Sequence, residues 1–361
     1  MLQYSPQKKL YVPKEPQLAS IMERLGERHD CFFSKLKAPE QNPNGYREPD
    51  WRAAQFTSEM LSALSSHPKI EIVKQFDASK YPVNCQSEDG KLLTVVMSPP
   101  THLDWNKPIN QGEGRHNTDK PDRLLATWQF LNLVLANLDH GVRVVIIEPD
   151  PDRKEGTFTR DIGFAIKNSM FLANMVSPVR RSEEATIAGG IKPPAEVLVE
   201  GGNIVLGDGV VFVGIGDRTN REAVEWLKFM VDKLGINLEV VPIQLKEGIL
   251  HLDCAFCPIE KRNGNGGAAI VSPHAFASER DLELVKKMYG NTMEVTETEF
   301  QSLVTNLLSL DKDVRIASPD ATNVHGLLEK LGIHPVLIEY FELIKAEGAW
   351  RCTELAVARE N

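Results

Sequence analysis

Cysteine is scarce in this chain of 361 residues. Cys31, Cys85, Cys254, Cys257 and Cys352 make five, an odd number at irregular spacing. That excludes a disulfide framework and makes free thiols the expectation. Long apolar runs are also missing: none approaches the ~20 residues that a membrane-spanning helix needs, so no membrane partner is expected. The opening MLQYSPQKKLYVPKEPQ lacks the basic and continuous apolar regions of a secretory signal, which points to a cytoplasmic protein. Positive charge is in deficit. A net charge of -9 argues against nucleic acid or an anionic membrane as partner and mildly favours a cationic ligand. No GxGxxG or Walker loop opens a helix, so a nucleotide-binding fold has no support.

What is present is ordinary globular material, 42% hydrophobic and 25% charged, long enough for one large domain with an appendage or for two domains. Residues 1–90 differ in texture from the rest. They carry Pro6, Pro13, Pro16, Pro39, Pro43, Pro49 and Pro68, one amphipathic helix at DWRAAQFTSEMLSALSS, a short strand at IEIVKQF, and a loop at KAPEQNPNGYREPD. The expected division is an N-terminal extension over 1–90, of no assigned role, and a second domain over 91–361.

Beyond Lys91, β-rich runs alternate with amphipathic helices. The expected strands are LLTVVM, VRVVIIEP, TFTRDIGFAI, EVLVEGGNIVLGDGVVFVGIG, LEVVPIQL, LHLDCAFCPI, AAIVSP, VRIASP and WRCTELAVA. The expected helices are DRLLATWQFLNLVLANLD, NREAVEWLKFMVDKLG, SERDLELVKKMYG and NVHGLLEKLG, with Asn220 as N-cap and Gly235 as C-terminal stop of the second. Gly-Asp-Gly turns predict hairpins, hence mixed sheets in an α/β fold. The glycine-rich RNGNGGAA reads as a plain turn.

HLDCAFCP places His251, Asp253, Cys254 and Cys257 together. H-x-x-C-x-x-C suggests zinc, but on a continuous strand Cys254 points away from the other three, and no second CxxC exists. No metal is therefore expected, and Cys254 and Cys257 read as small buried residues. His251 and Asp253 are costly to bury without partners. Partners are available in Arg160 and Asp161 of FTRD, Glu200 of EGGN, and Arg351 and Cys352 near the end. Singly these read as an edge-strand charge, a turn glutamate and a buried cysteine. Together they suit a guanidinium, a planar cation whose forked N–H donors match carboxylates through charge-assisted bonds worth about 1.5–3 kcal/mol each. Its carbon is electrophilic but resonance-stabilised, so reaction there needs a thiolate and an acid to help the amine leave, which cysteine and histidine supply. A thiol with pKa of about 8.5 is only a few per cent ionised at neutral pH, and a bound cation would favour the thiolate.

The ordered set FTRD, EGGN, RTN, HLD and RC resembles the guanidino-group-modifying enzymes: arginine deiminases, dimethylarginine dimethylaminohydrolases and amidinotransferases. MSPPTHLDWNKPIN followed by ATWQFLNLVLANLDHGVRVV resembles that family's first strand and helix, so the likeness spans roughly 92–361. It implies the pentein fold, five ββαβ-type units around a central channel, a five-bladed α/β propeller here carrying an N-terminal extension. It implies Cys352 as nucleophile, His251 as general acid and base, and Glu200 as the acid bonded to that histidine. It implies Asp161 and Asp253 as the carboxylates that clamp the guanidinium. Arg180, Arg181 and Arg218 lie where relatives place arginines around the pocket, so that Arg180 or Arg218 binds the substrate's carboxylate or is surface charge.

The implied reaction is hydrolysis of a carbon–nitrogen bond in arginine or an N-methylated arginine. It passes through a covalent Cys-amidino intermediate to citrulline plus ammonia or amine, with no cofactor. The alternative is an amidinotransferase, in which an amine captures the same intermediate. A third reading is a non-catalytic binding protein whose function lies in the first ninety residues. Asp161 is the residue that citrulline-forming members carry, where arginine dihydrolases tend to carry asparagine, which ranks dihydrolysis lower. Two departures bear on specificity: Asn203 replaces the aspartate of many relatives, and IKAEGAWRC lacks the long glycine run of deiminases. The partner expected is a small cationic guanidine, with self-association left open.

Overall fold

A computed structural model describes residues 11–34, 51–103, 120–260 and 267–360, with the backbone alone for 28–34. The loop expected at 37–50, most of the RNGNGG turn, the stretch after Leu103 and the side chain of Cys31 lie outside the described residues.

Helices α1 (Pro16–Ser34) and α2 (Trp51–Leu64) come first. The sequence reading misses α1 because its prolines suggest a loop; Pro16 stands at the first helical position, where its absent N–H costs nothing. Strands β1 (Ile70–Val73), β2 (Phe76–Asp77) and β3 (Lys91–Met97) follow, then α3 (Arg123–Asp139) and β4 (Arg143–Ile147). Strand β4 runs parallel to both β3 and β1. Helix α3 is capped by Asp122, whose carboxylate accepts from the amides of Leu124 and Leu125. Every residue from Leu124 to Leu138 is buried, because the sheet covers one face of α3 and α1 and α2 pack on another.

An antiparallel pair followed by a parallel crossover then recurs. Strands β5 (Gly163–Ile166) and β6 (Ser169–Leu172) pair antiparallel. After β7 (Ile187–Ala188), which pairs with β2, Ile191 bridges in parallel to Phe171 of β6. The next unit is β8 (Ile204–Gly207), β9 (Val210–Ile215), α4 (Arg221–Lys233) and β10 (Glu239–Gln244). Another is β11 (Phe256–Ile259), β12 (Ala268–Val271), α5 (Glu279–Tyr289) and β13 (Asn291–Glu294). Past the short α6 (Glu297–Gln301) come β14 (Leu308–Asp311), β15 (Val314–Ala317), α7 (Thr322–Lys330) and β16 (His334–Leu337). Helix α8 (Phe341–Lys345) leads into β17 (Leu355–Glu360), which pairs antiparallel with β3 and so completes the unit containing α3 and β4. The chain thus forms five units closed into a ring, four of ββαβ type and one, at β5–β6, with a 3-10 turn (Arg181–Thr186) in place of the helix, the pentein arrangement that the resemblance implies.

Helices α2, α3, α4, α5 and α7 lie where the apolar spacing puts them. The β8–β9 hairpin turns through Asp208 and Gly209, the latter at φ +75°, and the sheets are mixed as expected. Gly235 ends α4 at φ +63°. Asn220 precedes α4, but its side chain makes no capping bond. It is taken instead by the amide of Leu198 and the carbonyl of Glu196.

The larger difference concerns the strands read as TFTRDIGFAI, EVLVEGGNIVLG, LHLDCAFCPI and WRCTELAVA. Each is a turn and then a strand: 3-10 turns at Thr159–Ile162, Gly201–Asn203 and Leu252–Cys254, and a turn over 350–353. Apolar alternation does not reveal this break, because the turn residues are as buried as those of the strand.

Candidate active site

The first strands of the units, β5, β8, β11, β14 and β17, are each entered through such a turn, and the five turns meet. Buried backbone groups in a turn need partners that a sheet ladder cannot provide, and here neighbouring turns provide them. The Thr159 hydroxyl donates to Thr353 O (3.0 Å) and Arg160 N to Cys352 O (3.1 Å). Arg160 Nη2 donates to Ile204 O (2.5 Å), and Leu252 N to Asn203 Oδ1 (2.9 Å). Asn306 joins three turns: its Oδ1 accepts from Arg351 N (3.0 Å) and Cys352 N (3.3 Å), and its Nδ2 donates to Asp253 O (3.2 Å). Thr305 donates to Cys254 O. The side chains on these turns are thereby fixed by backbone bonds before any substrate arrives.

His251 is buried with a carboxylate at each ring nitrogen, Glu200 Oε2 at 2.8 Å from Nε2 and Asp161 Oδ1 at 3.5 Å from Nδ1. Burial works against its positive charge, but Asp161 and then Glu200 outweigh burial, and the imidazolium is held above its ordinary pKa. Burial likewise pushes Glu200 up, but the His251 bond and charge, with Arg218 and Arg180 behind them, prevail and hold it at about 2. The pair is therefore an ion pair. Glu200 Oε1 also accepts from Val176 N (3.2 Å) and lies 3.5 Å from Arg218 Nη1. A Cβ on Gly202 would come within 2.7 Å of both Asp161 Oδ1 and His251 Cγ, so only glycine admits this approach.

Two carboxylate oxygens, Asp161 Oδ1 and Asp253 Oδ2, are buried without a hydrogen-bond partner. Burial outweighs the pull of Arg351 on Asp253 and raises its pKa. The thiol of Cys352 lies with Cys254 Sγ and an Asp253 oxygen in a group whose atoms are all within 4.8 Å of one another. Asp161, Glu200 and His251 form a second such group. The turn at Leu252–Cys254 removes the alternation that set Cys254 apart, so Asp253, Cys254 and Cys352 are within reach of one ion. In the other group a protonated imidazole, hydrogen-bonded through Nε2 to Glu200, has no lone pair to offer a metal, which suits proton transfer.

Arg180 and Arg218 are buried, which rules out surface charge for both, whereas Arg181 is exposed. The Arg180 fork is occupied by Asp161 (2.6 Å), Glu183 (2.8 Å) and the carbonyl of Phe158 (3.1 Å), so it props Asp161 from behind. Cys254 and Cys257 are buried, as expected for small core residues.

Asn306, Glu183 and Glu88 escape the sequence reading. Asn306 had a signal: Asp161-Ile162, Asn203-Ile204 and Asn306-Leu307 repeat one polar–apolar step at the entry to β5, β8 and β14. Glu88, in SEDG, reads locally as an exposed turn.

The family model described as N,N dimethylarginine dimethylhydrolase, eukaryotic, matches residues 113–357. An uncharacterized protein of Bacillus subtilis (strain 168) is 32% identical over 288 residues, spanning 78% of this chain and 97% of its own. The N(G),N(G)-dimethylarginine dimethylaminohydrolase of Streptomyces coelicolor is 24% identical over 242 residues, 65% of this chain and 86% of its own. In fold, the N-terminal domain of ArgZ, an arginine dihydrolase from cyanobacteria, matches with a TM-score of 0.63 at 20% identity, covering 74% of this chain and 99% of that one. Dimethylarginine dimethylaminohydrolase from Pseudomonas aeruginosa, complexed with citrulline, matches with a TM-score of 0.59 at 17% identity, covering 73% and 99%.

Proposed function

We propose, for a chain that belongs to the N,N dimethylarginine dimethylhydrolase family of the guanidino-group-modifying superfamily, that it hydrolyses a carbon–nitrogen bond of arginine or an N-methylated arginine. The observation that supports this most is the pair of buried, unpartnered oxygens Asp161 Oδ1 and Asp253 Oδ2 beside a charged His251 and a thiol. Two buried carboxylate oxygens without hydrogen bonds are short of N–H donors, and a guanidinium supplies them in one plane.

In this reading Asp161 and Asp253 hold the guanidinium. Its charge, close to the Cys352 sulfur, favours the thiolate, which attacks the guanidinium carbon. His251 gives its proton to the departing nitrogen, which leaves as ammonia or amine, and an S-amidino adduct remains on Cys352. Neutral His251 then takes a proton from water as the water adds to that carbon. Collapse expels the thiolate and releases a ureido product, citrulline for an arginine substrate. Glu200 orients the imidazole and stabilises its charged form, and Arg180 fixes Asp161.

The test is a panel of arginine, dimethylarginine, agmatine and peptidyl-arginine assayed for ureido product, with and without an amine acceptor. The wild type is expected to form ureido product in buffer alone, and Cys352→Ala to lose turnover while remaining folded. Unchanged turnover in Cys352→Ala contradicts the mechanism; a new guanidine formed on the added amine, with no ureido product in buffer alone, makes the protein an amidinotransferase.

A further inference from the structure

The segment just before β3 bonds to residues in or just past all five inner strands. Asn84 donates to Val357 O and Arg359 O of β17, both at 3.0 Å. Cys85 N donates to Lys167 O, just past β5 (2.9 Å), and Leu206 N of β8 donates to Glu88 Oε1 (3.1 Å). Glu260 N, just past β11, donates to Asp89 Oδ2 (2.5 Å), and the Ser309 hydroxyl of β14 donates to Asp89 O (3.4 Å). Residues 84–90 are thus a stopper at one end of the ring, and the reactive turns lie at the other. The inner strands between them are short, roughly 13–20 Å at about 3.3 Å per residue.

Glu88 points inward from this stopper. Its Oε1 accepts from Arg351 Nη2 (2.7 Å) and Arg160 Nη2 (3.3 Å), and these arginines immediately precede Cys352 and Asp161. The Nε atoms of both arginines are buried without a hydrogen-bond partner, 3.8 Å and 4.0 Å from Asp253 Oδ2, which has none either. Two cationic donors and one anionic acceptor therefore face each other just beyond bonding distance in a dry interior. Their attraction would close that gap unless something held the arginines back.

We propose that Glu88 is a positioning residue: it anchors Arg160 and Arg351 from the closed end of the ring and so leaves Asp253 Oδ2 open to a substrate guanidinium. This rests on the clamping role given to Asp253 above. Burial pushes the Glu88 carboxyl up, but Arg351, Arg160 and Arg359 outweigh it and hold it at about 2, so the anchor is charged throughout the working range.

In Cys352→Ala protein, methylguanidinium binding measured by calorimetry is expected to weaken at least about tenfold on adding Glu88→Gln, as the freed arginines take Asp253 Oδ2. In the otherwise unaltered chain, Glu88→Gln is expected to raise KM at least about tenfold with kcat changed less than about threefold, a loss of ground-state binding. The acid limb of kcat/KM moves to lower pH, because nearer arginines favour the Asp253 carboxylate. A merely structural role would not move that limb. Binding as tight as in the parent overturns the proposal. If Glu88→Gln does not fold, the double variant Glu88→Gln, Arg160→Met removes one buried charge of each sign. Weakened binding there, with Arg351 still present, supports the proposal; parental binding, or a double variant that also fails to fold, overturns it. Binding needs no turnover, so a wild type that hydrolyses no guanidine defeats the proposed function and leaves this measurement readable. A parent that binds no methylguanidinium defeats both.

Discussion

At the scale of single residues, the site is governed by how closely three turns approach one another. Gly202→Ala puts a methyl group against Asp161 and His251, and something must shift by a sizeable fraction of an ångström. A displacement near 1 Å in a reacting constellation costs roughly a hundredfold in rate, so steady-state kinetics should show kcat/KM down by about that factor with the fold intact by circular dichroism. His251 gives a prediction about pH. Its pKa in the folded state is raised, so the stability its proton contributes is full below its ordinary value near ~6.5 and is lost as pH rises through the raised one. Glu200→Gln removes one of the two main causes of that elevation. The alkaline limb of kcat should move to lower pH, with a fall of about 10²–10⁴ in the plateau if the proton transfer is compromised; a pH–rate profile of wild type against variant checks it.

At the scale of elements, α3 and the turn into β17 meet through an unusual carboxyl. Glu354 is fully buried; Asn137 of α3 donates to one of its oxygens at 2.5 Å, and the other has no partner. Burial pushes its pKa up to about 8, ahead of the smaller opposing effects of Asn137 and Arg359. A raised folded value means that the stabilising proton is fully present below the ordinary carboxyl range and is lost as pH rises through about 8. Glu354→Gln should therefore be more stable than wild type at pH ~9, by about 1–3 kcal/mol, and nearly equal at pH ~4, below the ordinary carboxyl range, as thermal melts at the two values would show. The elements themselves were largely legible. Apolar spacing marked α3, α4, α5 and α7, and Asp208-Gly209 marked its hairpin. What spacing could not mark was where a turn becomes a strand, since the residues of both are buried. The site residues were legible because a buried charge in an apolar run needs partners. Glu88 was not, because its partners lie 72 and 263 positions away.

At the scale of the whole molecule, the first ninety residues bear on the ring's integrity. Leu18, Ile21, Leu25, Phe56, Met60 and Leu64 are buried, in the helices that cover α3. At about 1.5–3 kcal/mol for each buried side chain, their sum is comparable with the ~5–15 kcal/mol that holds a typical domain folded. A chain beginning at Lys91 is therefore expected to be insoluble or molten, and expression of that truncation with near-UV circular dichroism decides it. The ring also divides the chemistry between its arcs. Asp161 and Glu200 precede the exposed Asp208-Gly209 tip, whereas His251, Asp253 and Cys352 follow it. A polypeptide nicked at that tip would yield two pieces, each inert by itself, and joining them non-covalently would restore a working catalyst, so that turnover would report their encounter.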